Sequence, residues 1–325
     1  MTVFIIRRLL QAVLVVWAMS FLVFVGVNMV GDPVEMMVND EADQAERERV
    51  IKAMGLDKPW YMQYVHFVGR AAHGDLGKSF VYGEESLGII VQRMPATFEL
   101  ALAALLMAIV IGIPLGVYSG LRPETRTSKV IMAGSILGFS LPTFWVGLMF
   151  IMVFAVMLGW LPSTGRGETV PFLGVEVSFF TWDGLSHLFL PAVNLALFKI
   201  SLVIRLARAG TREIVHQDYI KFARAKGLST RRVIMVHLMK NIMIPVVTVL
   251  GLEFGGLIAF SVVTETVFAW PGMGKLIIDS IQNLDRPVIV AYLMIIVLVF
   301  VIINLVVDVL YSILDPRVRL QDVKG

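Results

Sequence analysis

Asp218–Pro245 reads DYIKFARAKGLSTRRVIMVHLMKNIMIP, a basic, helix-forming loop set between long apolar segments. Val215, Tyr219, Phe222 and Ala223 recur at i, i+4, i+7 and i+8, which predicts one apolar helix face. Lys221, Arg224 and Lys226 spread over the rest. Gly227 is a natural helix stop. Ser229 or Thr230 can cap a second helix, which Pro245 hands over to the next apolar run. The spacing therefore predicts a helix–turn–helix hairpin within a loop of about residues 209–245. The small residues Ala223, Ala225 and Gly227 allow another backbone to come close. From these residues alone two readings stand: a docking surface for a partner protein, or an amphipathic hairpin resting on anionic lipid.

The flanking sequence decides the fold class. Of 325 residues 57% are hydrophobic and only 16% charged, outside the usual balance of a soluble domain. Several apolar runs reach the roughly 20 residues that cross a bilayer as helix. β-Barrel alternation is absent. Six spans are the economical count, at about 9–30, 96–119, within 130–161, 188–206, 246–267 and 289–311. The third is too long for one straight crossing and contains Pro142. A kinked, tilted helix and a helix followed by an interfacial piece both fit. Arg7 and Arg8 resemble the start of a signal peptide, but the apolar run behind them is too long and no small-x-small cleavage site follows. The expectation is an uncleaved first membrane helix.

Lys and Arg in short loops set the orientation. Arg7 and Arg8 precede the first span, and Arg122, Arg126 and Lys129 separate the second and third. Arg205, Arg208, Arg212, Lys221, Arg224, Lys226, Arg231, Arg232 and Lys240 crowd the hairpin region, against Glu213 and Asp218 alone. Arg317, Arg319 and Lys324 follow the last span. Six spans place all of these on one side. The other side carries Asp32, Glu35, Asp40, Glu41 and Asp43, then Glu168, Glu176 and Asp183, then Asp279 and Asp285. Both termini are expected in the cytoplasm. Residues 31–94 are expected to form an ordered, mostly helical outer cap, with helical composition over 41–54 and aromatic residues Trp60, Tyr61 and Tyr64 after Pro59.

Several chemistries are excluded. The net charge of +3 is too small to suggest nucleic acid, and the absence of cysteine rules out disulfides and thiolate chemistry. No long internal repeat is evident. The five histidines, His66, His73, His187, His216 and His237, show no ligand spacing and read as interfacial or loop residues. Pro271–Leu276 contains two glycines and a lysine but lacks the spacing and the hydroxyl of a phosphate-binding loop. No catalytic constellation and no metal site is expected. Polar groups within spans are functional candidates. Glu253, mid-way along the fifth span, reads either as lining a path or as making an interhelical hydrogen bond. Asn194, Ser201, Ser261 and Thr264 are further candidates for a polar path. Lys199 and Arg205 are expected to snorkel, and Glu265 and Asp308 to serve structure. GxxxG spacings at Gly112/Gly116, Gly116/Gly120, Gly134/Gly138 and Gly251/Gly255 predict close helix packing.

DYIKFARAKGL resembles the EAA loop of permease subunits in bacterial ATP-binding cassette importers. Within these it is similar to the peptide-type permeases, the first of two paired permeases in dipeptide, oligopeptide, glutathione and nickel systems. The likeness runs along almost the entire chain. It includes Gly31-Asp32-Pro33, GLDKPWYMQY from Gly55, GDLGKS from Gly74, RMPATFEL from Arg93 and PTFWVG from Pro142. LGWLPSTG from Leu158, LPA from Leu190, TETVFAWPGMG from Thr264 and NLVVDVLYSILDPRVR from Asn304 continue it. The pattern departs where Lys221 stands at the glutamate position and Phe222 and Ala223 at the small ones, so no salt bridge is assigned to Lys221.

The resemblance implies an all-α integral membrane fold, with six transmembrane helices of the type I importer permease and both termini inside. Residues 1–30 would be the N-terminal membrane helix and 31–94 a periplasmic segment. Residues 95–312 would be the permease core and 313–325 a cytoplasmic tail. It implies that Asp218, Tyr219, Phe222, Ala223, Arg224, Ala225, Lys226 and Gly227 dock an ATPase. The implied partners are a second homologous permease, two cytoplasmic ATPase domains carrying ATP and Mg, and a substrate-binding protein. No cofactor is expected on this chain. The implied cargo is a short peptide, with glutathione, nickel or an oligosaccharide as alternatives in the same class. The implied mechanism is alternating access driven by closure of the ATPases. From a different class, a proton-coupled secondary transporter using Glu253 is the competing expectation. A scaffold that uses the outer cap for interaction is another.

Overall fold

The computed structural model describes residues 2–29, Gln44 and 57–314. The expected helix over 41–54, the Gly31-Asp32-Pro33 and Gly55-Leu56 pieces and the tail with Arg317, Arg319 and Lys324 lie outside the described residues. The helices are α1 (Thr2–Met29), α2 (Trp60–Ala72), α3 (Ser86–Leu121), α4 (Arg126–Ser140) and α5 (Thr143–Phe150, continued by a π-helical Ile151–Met157). A small antiparallel hairpin, β1 (Val170–Phe172) and β2 (Val175–Val177), comes next. Then follow α6 (Trp182–Ile214), α7 (Asp218–Ala225), α8 (Met239–Val267), α9 (Met273–Gln282) and α10 (Arg286–Leu314). Among the described residues, α1, α3, α6, α8 and α10 each contain a stretch long and apolar enough to cross a membrane. The α4–α5 pair makes a sixth if its two parts count as one span.

That pair resolves the over-long third run. Its two segments bend by 107°. The cause is local. Pro142 crowds the residue before it out of the helical region, and Leu141 is extended at φ −82° and ψ 136°. Pro142 then caps the start of α5. The run is two segments meeting at an angle, instead of one tilted helix.

The chain divides into two compact units. The first comprises Met1–Gln92 with Ile277–Val301. In it α2 lies against α1 through aromatic edges: Phe21 meets Trp60 and Tyr64, and Phe24 meets Tyr64 and Phe67. Ser20 and the Tyr64 hydroxyl share a hydrogen bond of 2.8 Å. After α2, Gly74 and Gly77 turn the chain at positive φ. Asp285, fully buried, accepts from the Ser79 hydroxyl and from the Phe80 amide at 3.0 Å.

The second unit comprises Arg93–Leu276 with Ile302–Gly325. Its core joins Ala108, Ile113 and Val117 of α3, Val203 and Ala207 of α6 and Ile242, Val246 and Leu250 of α8. Gly112, Gly116 and Gly120 form a stripe on α3 that lets α6 approach closely. A Cβ on them would stand 2.7 Å from Val203, 2.6 Å from the Ile204 carbonyl and 2.5 Å from Thr211. In a bilayer, where apolar side chains gain little by leaving lipid, such backbone proximity holds helices together. Gly138 against Ser201 and Gly251 against Val307 repeat the device, whereas Gly134 faces open space.

Candidate functional site: a basic hairpin and a mid-span charge pair

The chain leaves α6 at Val215 and turns, and α7 starts afresh at Asp218. This restart resets the helix phase. Ile220 and Ala223 are the buried residues of α7, packed with Val233 and flanked by Ile214 and Leu228. Tyr219 and Phe222, expected on the apolar face, are instead 43% and 60% exposed. Helical periodicity carried across the turn from Val215 missed this.

The end of α7 follows the sequence closely. Gly227 has φ +74°. Its amide bonds to the Arg224 carbonyl at 2.9 Å, and the Leu228 amide bonds to Ala223 at 3.3 Å. That double closure is the Schellman motif, which needs the left-handed residue that glycine supplies. Ser229 then accepts from the Arg232 amide, opening a run through Thr230–Arg232 and a π-helical Val233–Leu238 into α8. Pro245 lies inside α8, not at its start. Asn241 donates to the Tyr219 hydroxyl at 2.9 Å, and partial burial pushes that phenol's pKa up. The Lys226 ammonium sits 4.6 Å over the Phe222 ring. Lys221 pairs with Asp218 at 2.9 Å, both well exposed. The hairpin thus presents two aromatic rings among exposed cations, on a turn fixed by its own hydrogen bonds. Ala225 is exposed beside them, while Ala223 is buried.

The candidates for a path lie in the spans. Glu253 is the midpoint of α8 and forms an ion pair with Lys199, near the midpoint of α6. Lys199, expected to snorkel, is 8% exposed and held inside, whereas Glu253 keeps 34% of its side chain exposed. The Asn194 amide donates to the Thr264 hydroxyl at 3.2 Å, and Ser201 closes on the Leu197 carbonyl at 2.9 Å. Ser261 donates to Glu265 at 2.8 Å. Asn194, Ser201, Ser261 and Thr264 are all buried. The Asn194 Oδ1 finds no partner among the described residues.

Two buried carboxylates carry roles that spacing alone does not reveal. Glu265, fully buried, accepts from Thr97 and Ser261 hydroxyls at 2.8 Å each and from the Lys275 amide at 3.0 Å. Thr97 in turn accepts from the Met273 amide, and Trp270 donates to the Ala96 carbonyl, both at 2.8 Å. A Cβ at Gly272 or Gly274 would run into the Glu265 carboxylate. The glycines of Pro271–Leu276 make room for that carboxylate. Glu99 accepts from Arg166 at 2.7 Å and from the Ser178 amide at 2.6 Å, and so anchors both ends of the β-hairpin loop. The sequence holds Thr97, Glu99 and Glu265 in RMPATFEL and TETVFAWPGMG and marks Glu265 as structural, but nothing in it pairs the two stretches with one another. Among the described residues no group of three or more His, Asp or Glu could hold a metal ion.

A series of apolar spans with a basic hairpin and an internal charge pair defines a polytopic membrane protein with a candidate route and a candidate docking site. Residues 112–320 match the family described as "Binding-protein-dependent transport system inner membrane component", and residues 1–101 match its N-terminal component. The chain belongs to that family. It is a multi-pass inner-membrane permease subunit of an ATP-binding cassette importer, and ATP hydrolysis lies in separate subunits. It is 38% identical to the di/tripeptide transport system permease protein DppB of Pseudomonas aeruginosa (strain UCBPP-PA14), covering 98% of this chain and 99% of that protein. It is 40% identical to the oligopeptide transport system permease protein AppB of Bacillus subtilis (strain 168), over 98% and 100%. It is 36% identical to the glutathione transport system permease protein GsiC of Escherichia coli O6:H1, over 97% and 98%. The fold is similar to that of a chain of the MetNI methionine ABC transporter in an inward-facing form. That match has a TM-score of 0.56 at 16% identity and covers 70% of this chain and 97% of that one. It supports the type I importer permease fold.

Proposed function

We propose that this chain forms half of the route by which short peptides, di- to oligopeptides, enter the cell. The observation that carries this reading is full-length similarity to permeases named for di/tripeptide and oligopeptide transport. The other half of the route is a second homologous permease. Two ATPase domains bind ATP and Mg, and a substrate-binding protein delivers the peptide. The Asp218–Gly227 hairpin docks an ATPase through Tyr219, Phe222, Arg224 and Lys226, with Ala223, Ala225 and the Gly227 turn setting its shape. ATP-driven closure moves that hairpin and opens the route outward; hydrolysis resets it. Of the five candidates for the path, Glu253 retains side-chain exposure, so the route is assigned to its flank, with Asn194, Ser201, Ser261 and Thr264 as the polar wall behind. Six spans with both termini inside, residues 31–94 outside and 313–325 inside complete the arrangement.

Uptake into proteoliposomes holding the whole complex tests this reading. Di- and tripeptide uptake should require ATP, stop with vanadate and survive a protonophore. Vanadate-insensitive, protonophore-sensitive uptake would replace it with proton coupling. Glutathione is the second reading, favoured by the similarity to the GsiC permease. Mass spectrometry of the ligand carried by the cognate binding protein separates the two. Orientation is tested with single cysteines at the exposed Glu168 and Arg224. An impermeant reagent outside should label position 168 and leave 224 untouched; outside labelling at 224 inverts the arrangement.

A further inference from the structure

We propose that Lys199 is a specificity-determining residue: with Glu253 it keeps the route charge-neutral at mid-depth, so that short peptides of either net charge pass at similar rates. The inference rests on the reading that Glu253 flanks the route.

The geometry of the pair is asymmetric. The anion is the partly open member at 34% exposure, and the cation is sealed behind it at 8%. Gly256, three residues along α8, leaves the flank of the pair open. Its absent Cβ would stand 3.7 Å from Glu253 Oε2 and 3.9 Å from Lys199 Nζ. The Lys199 ammonium rests 5.1 Å from the centre of the Phe198 ring. Phe198 stacks on Phe139 at 4.5 Å, and Arg205 lies 4.5 Å over Phe139. Lys199 is thus held from two sides, by a carboxylate and by a braced ring.

A partly open charge at the middle of two spans is costly against hydrocarbon and cheap against a wet path. A lone carboxylate beside a narrow wet path would attract cationic cargo and repel anionic cargo. A buried ammonium directly behind it reduces the pair's distant field to that of a dipole. Short peptides share zwitterionic ends and differ in side-chain charge. A neutral wall is what lets one route accept them all.

The test measures uptake of Ala-Ala-Lys, Ala-Ala-Ala and Ala-Ala-Glu by the complete importer with its binding protein. The Lys-to-Glu uptake ratio of each variant is divided by that of the wild type, which cancels the preference of the unchanged binding protein. Lys199→Met should raise the ratio on the order of tenfold, and Glu253→Gln should lower it by a similar factor, as one unmatched charge acts across a few ångströms of moderately polarisable surroundings. Lys199→Met combined with Glu253→Gln should return it to within about twofold of wild type. Lys199→Gln, which keeps a donor for Glu253 while removing the charge, should shift the ratio in the same direction as Lys199→Met and covers a folding failure of the latter. An unchanged ratio in Lys199→Gln, with a shifted ratio in Glu253→Gln, overturns the compensation and leaves the route reading standing. Unchanged ratios in every variant, with lower yield of assembled complex, overturn both and make the pair a clamp between α6 and α8.

Discussion

Glu253 and Glu265 lie on the same helix and are satisfied in opposite ways. Glu253 is met by one cation, Lys199, and keeps an open flank. Glu265 is sealed by the Thr97 hydroxyl of α3, the Ser261 hydroxyl of its own helix and the Lys275 backbone amide in the first turn of α9. A carboxylate ringed by short, neutral donors fixes the elements that supply them. A carboxylate held by one long side chain leaves a face available to something else. The difference separates a structural knot from a candidate for transport, although both are acidic residues in an apolar helix.

Breaking the knot should have the largest effect. Glu265→Ala takes the carboxylate acceptor from the Thr97 hydroxyl and the Lys275 amide and leaves the Ser261 hydroxyl to the Ile258 carbonyl, 2.9 Å away. Each buried unsatisfied group costs about 1–3 kcal/mol. Glu265→Ala should abolish recovery of assembled complex, read as loss of the monodisperse peak after detergent extraction. Glu265→Gln should fall between that and wild type. Its oxygen can still accept from Lys275, and its amide can donate to hydroxyls that are free to rotate. A Glu265→Ala complex as heat-resistant as wild type would erase the contrast with Glu253.

The sequence makes the comparison half visible. Both glutamates are legible as polar residues in apolar runs, and the runs themselves follow from composition. Their distant partners are not legible: Lys199 arrives from 54 residues away for Glu253 and Thr97 from 168 for Glu265, although Ser261, one turn before Glu265, and the Lys275 amide are near in sequence. Glu99 stands in the quoted RMPATFEL, yet nothing local pairs it with Arg166, 67 residues away. The GxxxG spacing identified Gly112, Gly116 and Gly120 correctly, since close packing is a property of the residues on both faces of one contact. Gly134 meets nothing within 4 Å among the described residues of this chain. In the hairpin, Gly227 and Ser229 were legible because stop and cap are local chemistry. The buried face was not, because the turn before Asp218 breaks the helical count.

Gly227 offers the next effect in size, and it sharpens the comparison by disturbing a coupling element without touching either carboxylate. Nothing lies within 4 Å of the position a Cβ would take, so the penalty comes from φ +74° alone. For a β-branched residue that conformation costs on the order of 1–2 kcal/mol. Gly227→Val should insert normally and lose co-purification of the ATPase subunits or transport-coupled hydrolysis. Gly227→Asn, which tolerates the left-handed region, should keep both. Normal peptide uptake by Gly227→Val at normal expression would remove the hairpin turn from the mechanism.

The smallest effect calibrates the charge pair. Arg70 and Asp75 form an ion pair at 2.9 Å, as direct as pairs come, yet their side chains are 58% and 57% exposed. The Arg70 guanidinium and the Gly77 amide hold the Asp75 carboxyl below its usual range. A carboxyl whose folded pKa is depressed adds stability above the unfolded carboxylate range and loses it as pH falls through the folded value. Water and salt screen this pair, so its worth at neutral pH should be at most about 1 kcal/mol. Arg70→Ala should lower the detergent melting temperature only slightly, and that small loss should vanish below the carboxylate range and shrink in high salt. The same three measurements on Lys199→Met should give a salt-insensitive loss, because Lys199 is sealed from solvent. If Lys199→Met proves as salt-sensitive as Arg70→Ala, the Lys199–Glu253 pair is bathed in bulk water on both sides, and the asymmetry that distinguishes it from an ordinary surface pair is lost.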